Sequence, residues 1–353
     1  MNISIIGTGL IGTSLASILA KHHNVVGYDN NPEHVHQARQ LKIFHAVYDI
    51  EMIENHLYRS CAASSSLPSS VSSCSQYALR HSRVGGNPES LAFSGSSAFA
   101  EDDDKSYAED NGREDANHEV VFENSNIPGS LSNADVIIFA VPVLAFEHCL
   151  KAIAAHIGKN VVLTDVLSVK QYVVNAAKKI LKNRALQFIP GHPIAGAEHS
   201  GPKAFDPLLF EDRQVILTPW SDDQNEYMDV VKNLWESTGA RVSILSPESH
   251  DEILSRTSHL PQMLSYAYMQ CFEGRKDFKT YSAGAFRDFT RIAKSSPVMW
   301  RDICVTNKSQ MLSALKDFQS HLGNIQAMIE EDKVDELEEY FQRSRELHPE
   351  YEA

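Results

Sequence analysis

The stretch ISIIGTGLIGTSLA, residues 3–16, limits what this chain can fold into more than any other. A short run of mostly apolar residues meets Gly7, Gly9 and Gly12 in GxGxxG spacing, and a helical period begins at once. The first glycine permits a tight turn, the second lets backbone approach a pyrophosphate, and the third lets helix and strand pack closely. The phosphates then face a helix N-terminus, whose free N–H groups and dipole favour anions. The motif is weak by itself; a strand before it and a helix after it make it specific.

The second strand, NVVGYD, ends at Asp29, seventeen residues after Gly12. A carboxylate there can accept hydrogen bonds from the adenosine ribose hydroxyls and repels a 2′-phosphate. No arginine follows in DNNPEH, so the cofactor is expected to be NAD rather than NADP. The expected cofactor-binding set is Gly7, Thr8, Gly9, Leu10, Ile11, Gly12 and Asp29, with Val141 at the end of the later strand ADVIIFAVP.

Apolar strands alternate with helices well beyond this unit. NVVLTDV and LQFIP are short continuous apolar runs, separated by helical stretches at 144–156 and 169–182. Such alternation predicts a parallel sheet covered on both faces. RQVILTPW and ARVSILS are expected to extend that sheet, with a helix over 222–238 between them. From residue 247 the pattern is helical. Met311, Leu315, Phe318, Leu322, Ile325 and Ile329 alternate four and three apart, a heptad seam that either packs inside the domain or is shared between two subunits. The expected fold class is an α/β Rossmann-type nucleotide-binding domain, residues 1–246, followed by an all-α C-terminal dimerisation domain, residues 247–353. Between about 58 and 124 the chain turns serine-rich and then acidic, with no sustained period. That composition cannot offset the entropy of ordering, so it is expected to be a disordered insertion.

Bulk properties exclude several classes. With 46 acidic against 32 basic residues the net charge is -14, opposite to what a nucleic acid or an anionic membrane attracts. No apolar run reaches the roughly 20 residues that span a bilayer, and the N-terminus lacks a basic leader. Five scattered cysteines suit reduced thiols in a cytoplasm. The histidines show no metal-ligand spacing, so no metal is expected.

Three further stretches carry chemistry. TDVLSVK (164–170) ends a strand and opens a helix, which sets Ser168 at the carboxyl edge of the sheet, where open α/β sheets bind ligands. PGHPIAGAEHSG (190–201) follows the next strand and presents His192 at that edge, on what reads as a glycine-rich loop. GAFRDFTRIAKSSPVMWRD (284–302) gathers Arg287, Arg291, Lys294 and Arg301, and an arginine there can clamp a carboxylate bidentately.

With GTGLIG and SHLPQML, these stretches resemble the prephenate/arogenate (cyclohexadienyl) dehydrogenases of tyrosine biosynthesis, over nearly everything except 58–124. The resemblance implies NAD-dependent oxidative decarboxylation of prephenate to 4-hydroxyphenylpyruvate, with arogenate as a further substrate. It implies His192 as the catalytic histidine and Ser168 as its orienting partner. It also implies Arg291, His259, Gly284, Trp300 and Glu198 around the substrate. Pro261 should bend the helix after His259 and turn that side chain inward. Ala197 stands where relatives often carry a hydroxyl. Ser168 could alternatively cap the helix that follows it, and His199 and His250 read as solvated or structural. A β-hydroxyacid-type dehydrogenase would need a lysine on the first helix of the second domain, and none occurs between Lys232 and Lys276. An NAD-binding regulatory protein without turnover is the rival from another class. The partners expected are a small-molecule substrate and a second copy in a homodimer, in the cytoplasm. Neither a fused mutase domain nor an amino-acid-sensing domain is expected.

Overall fold

The computed structural model describes residues 1–49, 131–196, 199–275 and 280–348, so the insertion expected at 58–124 lies outside the described residues. Six strands form one parallel sheet: β1 (Asn2–Ile6), β2 (Asn24–Asp29), β3 (Ala46–Asp49), β4 (Val136–Phe139), β5 (Val162–Asp165) and β6 (Phe188–Ile189). Their order is β3-β2-β1-β4-β5-β6. The order reverses between β1 and β4, and in open α/β sheets ligands bind at such a switch point, outside the strands' carboxyl ends. The strands are continuous apolar runs because both faces are covered; Ile3, Ile5, Val25, Val136 and Ile138 are all buried in one core.

Helices α1 (Leu10–Leu19), α2 (Pro32–Leu41), α3 (Phe146–Ile153) and α4 (Lys170–Leu181) flank the sheet. Asn31 caps α2 by accepting from the Glu33 N–H, and Pro32 fills the first position, where its missing N–H costs nothing.

The runs expected to extend this sheet do not join it. β7 (Gly191–Pro193), β8 (Gln214–Leu217) and β9 (Arg241–Ile244) form a second sheet, in which β7 runs antiparallel to β8 and β8 parallel to β9. Pro190 separates β6 from β7; lacking an N–H, it cannot continue the first ladder, and the chain crosses to the second. His192 therefore stands on a strand, opposite Ile216, and not on a loop. Helix α5 (Asn225–Glu236) connects β8 to β9 and buries Trp235, whose ring meets Phe210 edge-on at 5.3 Å.

The remaining described residues are mainly helical: α6 (Pro247–Leu254), a π-helical turn (Ser255–His259), α7 (Leu260–Gln270), α8 (Gly284–Arg291), α9 (Pro297–Thr306), α10 (Lys308–Glu330) and α11 (Val334–Leu347). Packing here is uneven. α6 lies along α4 and buries Pro247, His250, Asp251 and Leu254. α10 buries only Met311 and Ala314, while α8 and α11 bury no residue. Of the heptad seam, Met311 is inside, whereas Leu322 and Ile329 are half exposed or more. No helix among the described residues is long and apolar enough to cross a membrane.

Candidate active site

At the switch point the glycines divide the work physically. Gly7 has φ +102°, and a Cβ added there would stand 2.2 Å from the Ala140 carbonyl oxygen, at the end of β4. A Cβ on Gly12 would stand 2.0 Å from the Gly7 carbonyl oxygen. Both glycines exist for close packing. Gly9 differs: its Cβ would meet nothing within 4 Å, so its freedom is not needed by the fold. It precedes α1, whose first turn carries no side-chain cap. Open space beside uncapped N–H groups is what a pyrophosphate requires.

Asp29 is buried at the tip of β2, where Oδ2 accepts from the Thr8 N–H (2.7 Å) and hydroxyl (3.0 Å), and Oδ1 from the Asn31 N–H (2.9 Å). These bonds tie the acidic residue to the glycine turn. Thr8 is buried, Leu10, Ile11 and Val141 half-buried. The residues present thus fit a dinucleotide. Replacing Gly9 with alanine is expected to leave the melting temperature unchanged while weakening dinucleotide binding at least tenfold; titration calorimetry checks this, and unchanged affinity would contradict it.

The second half of the site is a buried polar cluster. Asp165 ends β5, and Lys170 opens α4; both are fully buried and paired at 2.5 Å. Together they hold Gly191 from both sides: Asp165 Oδ1 accepts its N–H at 3.1 Å, and Lys170 Nζ donates to its carbonyl at 2.6 Å. This clamp fixes the backbone immediately before His192. Burial pushes the Asp165 carboxyl up and the Lys170 ammonium down, while their mutual attraction pulls each back.

Helix α6 completes the cluster. His250 Nε2 lies 2.8 Å from His192 Nδ1, and His250 Nδ1 lies 2.8 Å from Asp251 Oδ1. Asp251 also accepts the N–H groups of Lys170 (2.7 Å) and Gln171 (2.9 Å), which caps α4 from another helix. Ser168 is half-buried just ahead of α4, and the capping role open to it belongs to Asp251. His250, read from the sequence as solvated or structural, is a fully buried partner of His192; His199 is exposed.

His259 ends the π-helical turn that precedes Pro261 and is buried, with its ring 5.9 Å from that of Trp300 and 73° to it. Among the described residues, its Nε2 and the Trp300 indole nitrogen have no hydrogen-bond partner. Two unpartnered buried donors or acceptors side by side ask for a polar group between them. Burial pushes the His192 imidazole well below the usual histidine value of 6.5, and His250, Lys170 and His259 push the same way. Burial also lowers His250, against its bond to Asp251. His259 drops to about 4 through burial, against the pull of Asp251 and with a smaller push from His250. All three imidazoles are therefore neutral at pH 7, the form that can accept a proton.

Arg291 closes α8 and is exposed, unlike the histidines. Its position is set from α7. Gln262 Nε2 donates to the Ile292 carbonyl at 2.7 Å, and the Tyr266 hydroxyl donates to the Ser295 carbonyl at 2.7 Å. His259, Gln262 and Tyr266 are spaced i, i+3 and i+7, so one helix face carries the buried histidine and grips the segment following Arg291. Gly284 opens α8, exposed, with nothing within 4 Å of where a Cβ would stand. Glu198 and Ala197 lie outside the described residues.

A glycine turn shaped for a dinucleotide and a neutral histidine cluster at the sheet's carboxyl edge define a dinucleotide-dependent oxidoreductase. The profile of the prephenate dehydrogenase nucleotide-binding domain matches residues 103–244, and that of the prephenate dehydrogenase dimerization domain matches 246–343. A TrkA-N domain profile matches 3–57. A cyclohexadienyl dehydrogenase of Zymomonas mobilis is 35% identical over 225 residues, which cover 62% of this chain and 76% of that protein. A prephenate dehydrogenase of Bacillus subtilis is 34% identical over 220 residues, 61% of this chain and 59% of that one. Among solved structures, the prephenate dehydrogenase of A. aeolicus in complex with hydroxyphenyl propionate and NAD+ superposes with a TM-score of 0.72 at 26% identity, over 100% of this chain and 98% of that one. The chain belongs to the prephenate dehydrogenase family.

Proposed function

We propose that this chain oxidises and decarboxylates prephenate to 4-hydroxyphenylpyruvate with NAD, a step of tyrosine biosynthesis, and that it also accepts arogenate. The observation carrying this reading is a neutral His192, held through Gly191 by Asp165 at the end of β5 and Lys170 at the start of α4, and hydrogen-bonded to His250 of α6. Bound NAD supplies the hydride acceptor. His192 accepts the proton of the ring hydroxyl as hydride leaves the same carbon. Departure of the ring carboxylate as CO2 makes the ring aromatic and leaves a phenolate oxygen, to which His192 returns its proton. Prephenate, NAD and the three products balance with no net proton. Ser168 orients the hydroxyl, Arg291 binds a substrate carboxylate, and His259 and Trp300 offer their unpartnered nitrogens to its polar groups. Gly284 belongs to the proposed substrate-binding set, as does Glu198, which lies outside the described residues. Asp29 favours NAD over NADP by repelling a 2′-phosphate. α6 turns His250 and Asp251 inward where a β-hydroxyacid-type dehydrogenase needs a lysine.

The proposal includes a division between domains at residues 246 and 247, a cytoplasmic setting that suits five scattered cysteines, and a homodimer. The dimer is supported by the exposed apolar side chains of α10 and α11, including Leu322, Ile329, Val334 and Phe341. Sedimentation at micromolar concentration should give a dimer that Leu322→Glu with Ile329→Glu converts to a monomer; a monomeric parent protein would contradict it.

The test is NADH absorbance with prephenate and then arogenate, each with NAD and NADP. Turnover with prephenate and NAD is expected, at least tenfold faster than with NADP. Dinucleotide binding without NADH formation would overturn the reading in favour of a non-catalytic NAD-binding protein.

A further inference from the structure

We propose that His250 and Asp251 are positioning residues that fix the tautomer of His192, so that its Nε2 carries the lone pair offered to substrate. The inference rests on the role given to His192 above and extends it to residues that need not touch substrate.

The geometry leaves little choice of proton positions. Both Asp251 oxygens face backbone N–H groups of α4, Lys170 on Oδ1 and Gln171 on Oδ2. Backbone N–H groups can only donate, so both oxygens act as acceptors. The contact from Oδ1 to His250 Nδ1 at 2.8 Å then requires hydrogen on Nδ1. A neutral imidazole with hydrogen on Nδ1 has its lone pair on Nε2. His250 Nε2 must therefore accept from His192 Nδ1, 2.8 Å away. That puts the hydrogen of His192 on Nδ1 and the lone pair on Nε2. The opposite arrangement would turn a lone pair of His250 toward the Asp251 carboxylate and leave His192 as a donor at Nε2, unable to take a proton there. The same chain serves the protonated state, because an imidazolium at 192 still donates from Nδ1 to His250.

Asp251 is well placed to hold this order. It is 1% exposed, its carbonyl accepts from Asn307 Nδ2 at 2.9 Å, and the start of α4 orients its carboxylate. His250 is 0% exposed, so water does not compete for its two bonds. The charged and titratable groups around His192 are His250 and Asp251 from α6, Asp165 and Lys170 from β5 and α4, and His259 from the π-helical turn. Of these, His250 is the one hydrogen-bonded to the His192 ring.

The first test is nitrogen NMR on the full-length protein with labelled histidine, without substrate. His192 is expected as the neutral tautomer with hydrogen on Nδ1; hydrogen on Nε2 overturns the proposal outright. The second is kinetic. Asp251→Asn and His250→Phe should lower kcat about 10²-fold, as losses of such partners do elsewhere, with KM for prephenate changed less than threefold. His250→Gln, which puts a carbonyl oxygen near the place of Nε2 and keeps an acceptor for His192, should recover most of that loss. If Asp251→Asn does not fold, the comparison of His250→Gln with His250→Phe decides; equal kcat in those two overturns the proposal. The tautomer is read without turnover, so a parent protein inactive on prephenate would fail the functional reading and leave the NMR result to stand or fall separately.

Discussion

Replacing His192 with asparagine lowers kcat for prephenate about 10²–10⁴-fold, the usual worth of a general base, and leaves NAD affinity unaltered. Asparagine retains hydrogen-bonding capacity near Nδ1, so the partnership with His250 need not collapse. What it removes is the nitrogen proposed to take the proton. The parent enzyme should also show a pH profile of defined sign. Burial and neighbouring positive or titratable groups hold the His192 value well below 6.5. As the proposed base, His192 is therefore expected to be competent through neutral pH, with kcat/KM falling only where acid protonates it, below the ordinary histidine range. A limb at or above 6.5 in kcat/KM, or an unchanged kcat in the variant, removes His192 from its role.

The second large effect is on stability. Lys170→Met should destabilise the protein by about 3–5 kcal/mol, because removing one partner leaves a buried charge uncompensated. Asp165 would keep the N–H groups of Leu167 and Gly191 but lose its ammonium partner at 2.5 Å. The Gly191 carbonyl would lose its donor as well. Since Gly191 precedes His192, residual folded protein should show impaired turnover beyond its stability loss. Denaturant unfolding measures the first effect; a change below 1 kcal/mol would mean that the pair is not held as described. The double variant Asp165→Leu with Lys170→Met should be the less destabilised of the two, since it leaves no orphan charge.

The alternation of strand and helix was legible in the sequence because strands buried on both faces are continuous apolar runs. The glycine turn and Asp29 were legible because spacing and context occur together. The second sheet was not. QVIL and RVSI announce strands, yet nothing in an apolar run names its neighbour, and the break comes from the missing N–H of Pro190. His192 looked like a loop residue because a three-residue strand between glycine and proline has no measurable period.

His250 and Asp251 were missed for a different reason. Their partners lie 58 and about 80 residues away, and no local motif joins them. A signal did exist. Pro247, His250, Asp251 and Leu254 fall at i, i+3, i+4 and i+7, the stripe a helix turns inward, and polar residues on such a stripe call for buried partners. Arg291 shows the converse. The sequence singles it out by its company of basic residues, but its exposure at the end of α8 depends on packing that only the fold reveals.

The account stands on hydride leaving the hydroxyl-bearing ring carbon while the ring carboxylate departs. Prephenate deuterated at that carbon, incubated with the enzyme and NAD, tests it most directly by mass analysis of the nicotinamide and of evolved gas. One deuterium in each reduced nicotinamide and one CO2 for each are the predicted result. Reduced nicotinamide free of deuterium, or CO2 released without reduction, would contradict it.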